Sequence, residues 1–294
     1  VKMNEIKMFL SDDANNMRSN CKNGSWLLID DVPTNEIANL KTQYPTEFVV
    51  AGQIGTYYAC WNINQDLLVD TAGMTAEAIE AAKAGETVTI FEGTYAMPAV
   101  KAGITIEGEG NVVLEGTLTG TLENLTLKNL HIKGANAQRW AYAKGNLVFE
   151  NVTFEATSVY ALHFDGIADD ANLTYKDCTI IGWAAMGGSP ESCIFEGCTF
   201  KGNGSYGLIR TYFDATIKDC TFDVANVNTS DIYEDGIHAV EGAKVTVDNS
   251  IVNCNDNNTT AGESYAALCL NKAAVGGKIT ATNTTVNVPA GSDS

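Results

Sequence analysis

From about residue 87 onward, apolar and polar residues alternate in short stretches, and the alternation slips by one place at a recurrent polar residue. Seven stretches share this form: LKNLHI, FENVTF, YKDCTI, FEGCTF, IKDCTF, VDNSIV and ATNTTV. Their third letters are Asn129, Asn151, Asp177, Gly197, Asp219, Asn249 and Asn283, separated on subtraction by 22, 26, 20, 22, 30 and 34 residues. Alternation with a period of two marks a strand with one buried face. A slip within it marks a corner where the backbone turns left-handed, a conformation that glycine takes freely and that Asn and Asp tolerate best among other residues. All seven corner residues belong to those three types, at the spacing of a coil with loop insertions. The pattern predicts parallel strands stacked coil on coil, a mainly β fold. An antiparallel sandwich with similar Asn turns would not repeat its unit in a single direction.

Within one unit the alternation points Leu147, Phe149, Val152 and Phe154 inward and Val148, Glu150 and Thr153 outward. The same rule assigns three of the eight cysteines, Cys178, Cys198 and Cys220, to one inward slot after the corner, with Val152 before them and Ser250 after. They read as rungs of a core ladder of small, soft side chains. No pair has CxxC spacing and no His lies near them in sequence, so no metal site and no cofactor is expected. Mostly reduced thiols suit folding in a cytoplasm.

Residues 1–72 do not share the period. WLLIDDV (26–32), EFVVAG (47–52) and TYYACWNI (56–63) read as strands, with a helix over 34–42 and a turn at Tyr44-Pro45 between them. This is a small α+β module rich in aromatics (Trp26, Tyr44, Phe48, Tyr57, Tyr58, Trp61), suited to a compact core or to docking. A helix follows over 75–84, TAEAIEAAKA, with Thr75 as N-cap and Gly85 past its end. It is placed to cover the first coil of residues 73–294, with Ile79 and the alanines inward and Glu77, Glu80 and Lys83 in water.

The passage from AAKAGETVTIFEGTY into GITIEGEG and the Asn-corner repeats resembles the pectate-lyase-like right-handed β-helix superfold over about residues 75–294. The resemblance implies a right-handed parallel β-helix. The superfold includes polysaccharide lyases, glycosidases, esterases, adhesins and phage tail or head-fibre proteins, so activity has to come from a site. The corner repeats also resemble β-helical phage head-fibre and capsid-decoration proteins and gut-bacterial surface proteins.

Enzymes of the superfold work on the outer face of one long sheet. The stretches that fit that sheet are YALHFDG (160–166), YGLIRTY (206–212), EDGIHAVEG (234–242) and YAALCLNK (265–272). With Leu162 and Phe164 inward, His163 and Asp165 face out, and His238 takes the place of His163, with Ile209 in the intervening place and Cys269 in the following one. His163 and His238 then stand about 14 Å apart, three coils at about 4.8 Å each, too far to share a metal. His163, Asp165, Arg210 and His238 are the glycan-binding candidates, with Tyr160, Tyr206, Tyr212 and Trp183 available to stack on sugars. No neighbouring acidic pair with companion His and basic motif is found, so no catalytic residue is assigned. The stretches 226–236 and 256–264 read as acidic loops between coils; the second fails the EF-hand pattern because Gly262 comes one place late.

A net charge of −18, from 36 acidic and 18 basic residues, argues against nucleic acid and against an anionic membrane surface. No stretch approaches the roughly 20 apolar residues of a membrane span, so a soluble chain is expected. The start lacks an apolar signal core. After KITATNTTVNV the chain ends at PAGSDS without a covering helix, which leads to the expectation of a homo-oligomer or a particle-bound chain. Together these features favour a non-enzymatic structural or adhesive protein. The expected form is a phage virion accessory, a head fibre or capsid decoration folded in the host cytoplasm, docked by residues 1–72 to other virion or surface chains. The alternative is a polysaccharide lyase, glycosidase or glycan-binding β-helix of a gut bacterium, at the cell surface or outside it.

Overall fold

A computed structural model describes residues 14–23, 37–43, 67–69, 75–204, 206–224, 236–254, 267–270 and 275–288. Contacts divide the chain into two compact units, Val1–Cys60 and Trp61–Ser294. In the first, the described elements are two helices, Ala14–Lys22 and Ile37–Gln43. The second helix falls on the helix expected over 34–42. The first was not foreseen, because its ANNMRSNCK sequence is rich in Asn and Ser, which favour caps and turns over helix interiors. The strands expected at 26–32, 47–52 and 56–63 lie outside the described residues, as do the PAGSDS tail and, apart from Gly236, the loops at 226–236 and 256–264.

In the second unit the described strands join one continuous sheet in which every ladder is parallel. The chain winds through three strand positions per coil, so the sheet folds around a core as a parallel β-helix. Before the corner, a single interior ladder runs Val88, Ile106, Leu127, Phe149, Tyr175, Phe195, Ile217, Val247. After it, a second ladder runs Tyr95, Leu114, Ile132, Phe154, Ile180, Phe200, Phe222, Val252. All of these are buried. Leu147, Phe149, Val152 and Phe154 point in as the alternation predicts, and Val148, Glu150 and Thr153 remain partly exposed.

All seven corner residues have left-handed backbones, with φ between 46° at Asn249 and 66° at Gly197. The turn lets the hydrogen-bond ladder continue without a gap. The Asn129 N–H donates to the Glu150 carbonyl of the next coil (3.0 Å), while two residues past the next corner the Thr153 N–H donates back to the Leu130 carbonyl (2.8 Å). The corner side chains also stack, with Asn151 Nδ2 donating to Asn129 Oδ1 at 2.9 Å and Asn129 Nδ2 to Glu107 Oε1 at 3.2 Å. Asn151→Val is expected to cost about 2 kcal/mol, from the left-handed penalty of a β-branched residue and the lost amide bond. Asn151→Gly should stay within about 1 kcal/mol of wild type, because glycine keeps the backbone. Equilibrium urea denaturation separates the two; equal losses would show that the side-chain ladder, not the backbone, holds the corner. A second left-handed column, Gly85, Gly103, Asn124 and Gly145, marks where the chain enters the first sheet position in the early coils. Sequence alternation did not reveal it, because Gly85 and Gly103 precede their strands while Asn124 and Gly145 lie inside the long strands Leu118–Lys128 and Gln138–Glu150.

Cys178, Cys198 and Cys220 occupy the inward slot after the corner, each 1% exposed, between Val152 and Ser250, also 1%. Their thiols are free and donate weakly to backbone carbonyls, as from Cys178 Sγ to Phe149 O at 3.3 Å. Burial pushes the neighbouring Cys193 thiol up from its ordinary value. In the folded protein these four cysteines should resist a water-soluble maleimide, while the half-buried Cys254 and Cys269 react before them. Mass-spectrometric mapping that found Cys198 labelled as fast as Cys254 would contradict the ladder.

The rungs begin earlier than the sequence suggests: Leu67–Val69 pairs with residues 88–90. The helix that follows spans Thr75–Ala81, three residues shorter than expected. It buries Ile79 and leaves Glu77 and Glu80 exposed; just past its end, Ala82 joins the same core and Lys83 is exposed. Its end is held by Lys101, whose ammonium donates to the Glu80 and Ala82 carbonyls at 2.8 and 2.6 Å, satisfying acceptors that a helix terminus leaves open. Among the described residues, no helix is long and apolar enough to cross a membrane.

Candidate functional site

The third strand position builds the face on which the expected site residues meet. Its strands come from Gln138–Glu150, Thr153–Ile167, Thr179–Met186, Ile209–Thr211 and Ile237–Ala239. Leu162, Ala184, Ile209 and Ile237 form the inward ladder and are buried. The alternate positions therefore face out, and the outward ladder runs His163, Ala185, Arg210, His238, Cys269. His163 and His238 are three rungs apart, as expected. The residue aligned with them is Arg210 and not Ile209, and the remaining rung is supplied by Ala185 in Thr179–Met186, a strand the alignment omitted. The omission has a physical cause: the pairing of Thr153–Ile167 with its neighbours shifts between Tyr160 and Leu162 and between Ala141 and Tyr142, and alternation alone does not count such bulges.

Ala185 carries only a methyl group between the longer His163 and Arg210. A depression of about 240 Å³ opens there, lined by Tyr160, His163, Phe164, Trp183, Ala185, Gly187, Arg210 and Tyr212. Aromatic rings continue along it. Tyr160 stacks on Trp183 with centroids 5.4 Å apart, and Trp183 meets Tyr206 edge-on at 5.1 Å. The His163 imidazole lies 4.4 Å from the Tyr160 ring and 5.7 Å from Trp140, perpendicular to the latter. The Arg210 guanidinium lies 4.9 Å over Tyr212. From below, Gln138, itself buried, donates through Nε2 to the His163 carbonyl at 3.0 Å and fixes the strand beneath the ring.

Burial, reinforced by the positive charge of Arg139, lowers the His163 pKa, and Asp165 opposes the shift with Oδ1 at 3.8 Å from Nδ1. The ring is therefore neutral near pH 7 and carries one donor and one acceptor. The fixed positive charge of the face comes from Arg210 and Arg139. Chemically, this is a platform for flat apolar faces edged by hydrogen-bond donors. None of the eight lining residues is a carboxylate.

Of the residues expected from sequence, His163 and Arg210 line the depression together with Tyr160, Trp183 and Tyr212, and Tyr206 flanks it. Asp165 sits exposed at the next outward place of the His163 strand, beside the lining. His238 is one rung past Arg210, only 4% exposed, and does not line the depression. Arg139 and Trp140 were missed. They interrupt the alternation in AQRWAYAKG, and that interruption next to an Arg-Trp pair was the signal that could have found them. A second depression, of about 580 Å³, lies over Thr89, Glu107, Glu109, Asn129 and Asn151. Its amides and Glu107 are already joined in the corner ladder.

No curated protein matches the chain. A family model described as a right handed beta helix region matches residues 102–286, more than half of the sequence. Parallel ladders, left-handed corners and that match agree: the chain belongs to the right-handed β-helix family.

Proposed function

We propose that the chain is a non-enzymatic, adhesive β-helix that binds a glycan in the aromatic groove of its third sheet position. The observation that carries the reading is a concentration of chemistry. After residue 75 the sequence has two arginines, Arg139 and Arg210, and two tryptophans, Trp140 and Trp183, and all four meet on this one face beside His163. Aromatic rings offer apolar faces to the C–H faces of sugar rings, and arginine and neutral histidine supply the donors that fix hydroxyl groups. Hydrolysis by a carboxyl pair needs two such groups about 5–9.5 Å apart, and the lining supplies none. A displayed virion fibre or capsid decoration and a cell-surface adhesin would both use such a face, with the aromatic-rich residues 1–72 docking the chain to its carrier.

The test is a screen of the full chain against neutral and acidic polysaccharides, with calorimetry for binding and a reducing-end assay for turnover. Binding without new reducing ends, weakened about tenfold or more by Arg210→Ala, is the expected result. Turnover abolished by Arg210→Ala would contradict the non-enzymatic reading, and no binding to any polysaccharide would overturn the glycan reading.

A further inference from the structure

Next to the groove, one place in the β-helix has a backbone that the fold does not need. Between the strands Leu118–Lys128 and Gln138–Glu150 the register steps from Leu118 paired with Gln138 to Gly120 paired with Ala141. Arg139 and Trp140 therefore face Thr119 together, two residues against one, which is a β-bulge. The bulge turns both side chains outward, between the buried Gln138 and Ala141. Trp140 pays for it with φ of 56°, a left-handed conformation that bulky side chains rarely adopt. Burial does not offset that strain, since Trp140 is 58% exposed. Strain of this kind persists at binding sites, where a side chain must be aimed.

Arg139 adds a second, independent observation. Its guanidinium carbon lies 4.4 Å from the Trp140 ring centroid and 5.2 Å from that of Tyr160, so the cation is held by two aromatic faces. In a chain of net charge −18 it forms no ion pair with a carboxylate among the described residues, and its Nε is buried without a hydrogen-bond partner. By contrast Lys128, Lys133, Lys144 and Lys218 each pair with a glutamate. A guanidinium lying on aromatic faces keeps its planar fork of N–H donors at the edge, and that fork matches the two oxygens of an oxyanion.

Resting on the glycan reading above, we propose that Arg139 and Trp140 form a clamp for an anionic sugar residue: Trp140 stacks on the ring and Arg139 takes its oxyanion. The clamp sits one rung before His163 and so lengthens the groove on its N-terminal side. The oxyanion is either a uronate carboxylate or a sulfate ester. The overall negative charge of the chain restricts the attraction to this local point, so recognition is of a placed oxyanion and not of a polyanion at large.

Titration of the full chain at fixed ionic strength with hexuronate oligosaccharides, their carboxyl-reduced counterparts and sulfated neutral oligosaccharides tests the clamp. Wild type should bind the uronate or the sulfated series at least about tenfold more tightly than the uncharged one, and the preferred series identifies the carrier. Arg139→Gln should bind charged and uncharged members equally. Trp140→Gly should lose the charged ligand by about tenfold or more while its melting temperature holds or rises, because glycine takes the positive φ freely. Equal wild-type affinity for charged and uncharged ligands, or a Trp140→Gly protein that melts lower, overturns the clamp and leaves the glycan reading standing. If no saccharide of any series binds, both fail together.

Discussion

Phe200→Ala is expected to destabilise the β-helix by about 3–5 kcal/mol, the cost of removing a phenyl ring from a core that cannot collapse around the space. Phe200 is fully buried. Its ring stacks on Phe222 at 4.5 Å with an interplanar angle of 7°, and meets the edge of Phe195 at 5.4 Å. It also continues the ladder from Ile180. Each coil of a solenoid touches only its neighbours, so the loss should act on coupling as well as on the total. Hydrogen exchange should rise in residues 209–223 and 237–253, while 104–150 keeps its protection. A uniform rise along the whole β-helix would contradict this nearest-neighbour picture.

Tyr175→Phe is expected to act in the opposite sense and stabilise the fold by about 1–2 kcal/mol. Tyr175 stands in a ladder otherwise made of apolar side chains, stacked between Phe149 at 4.8 Å and Phe195 at 4.5 Å. It is fully buried, and its hydroxyl has no hydrogen-bond partner among the described residues. Burial pushes the phenol pKa well above its ordinary value, so the group is neutral throughout the useful pH range. The cost is that of an unsatisfied hydroxyl, and phenylalanine removes it while keeping both stacks. Guanidinium chloride midpoints compared at equal m-values provide the check. A lower midpoint for the variant would show that the hydroxyl has a partner in solution.

The two features that define the β-helix were legible for a local reason. A corner that needs a left-handed residue leaves a chemical mark at Asn129, Asn151, Asp177, Gly197, Asp219, Asn249 and Asn283, and each mark proved to be such a corner. The cysteine ladder followed from the same count. The groove was legible only in part, because its strands carry bulges that shift register without changing composition. Counting alternation put Ile209 where Arg210 stands, and passed over the coil that holds Ala185. The bulge at Arg139 and Trp140 hid the most strained residue of the face for the same reason: two consecutive outward side chains look like the end of a strand. His163 and Arg210 were legible from sequence because each follows an inward residue, Leu162 and Ile209, within its own strand. Their convergence depends on how adjacent coils pair, which is a property of the stack and not of any one coil.

On the proposed reading this face, and no other, receives a glycan. Hydrogen–deuterium exchange of the full chain, with and without a saturating oligosaccharide from the binding screen, tests it most directly. Protection on binding is expected in residues 138–142, 160–166, 183–187 and 206–212, with the outward faces around Asn151, Asp177 and Gly197 unchanged. Protection confined to the corner column, or none on the third sheet position while binding is saturated, would contradict the account.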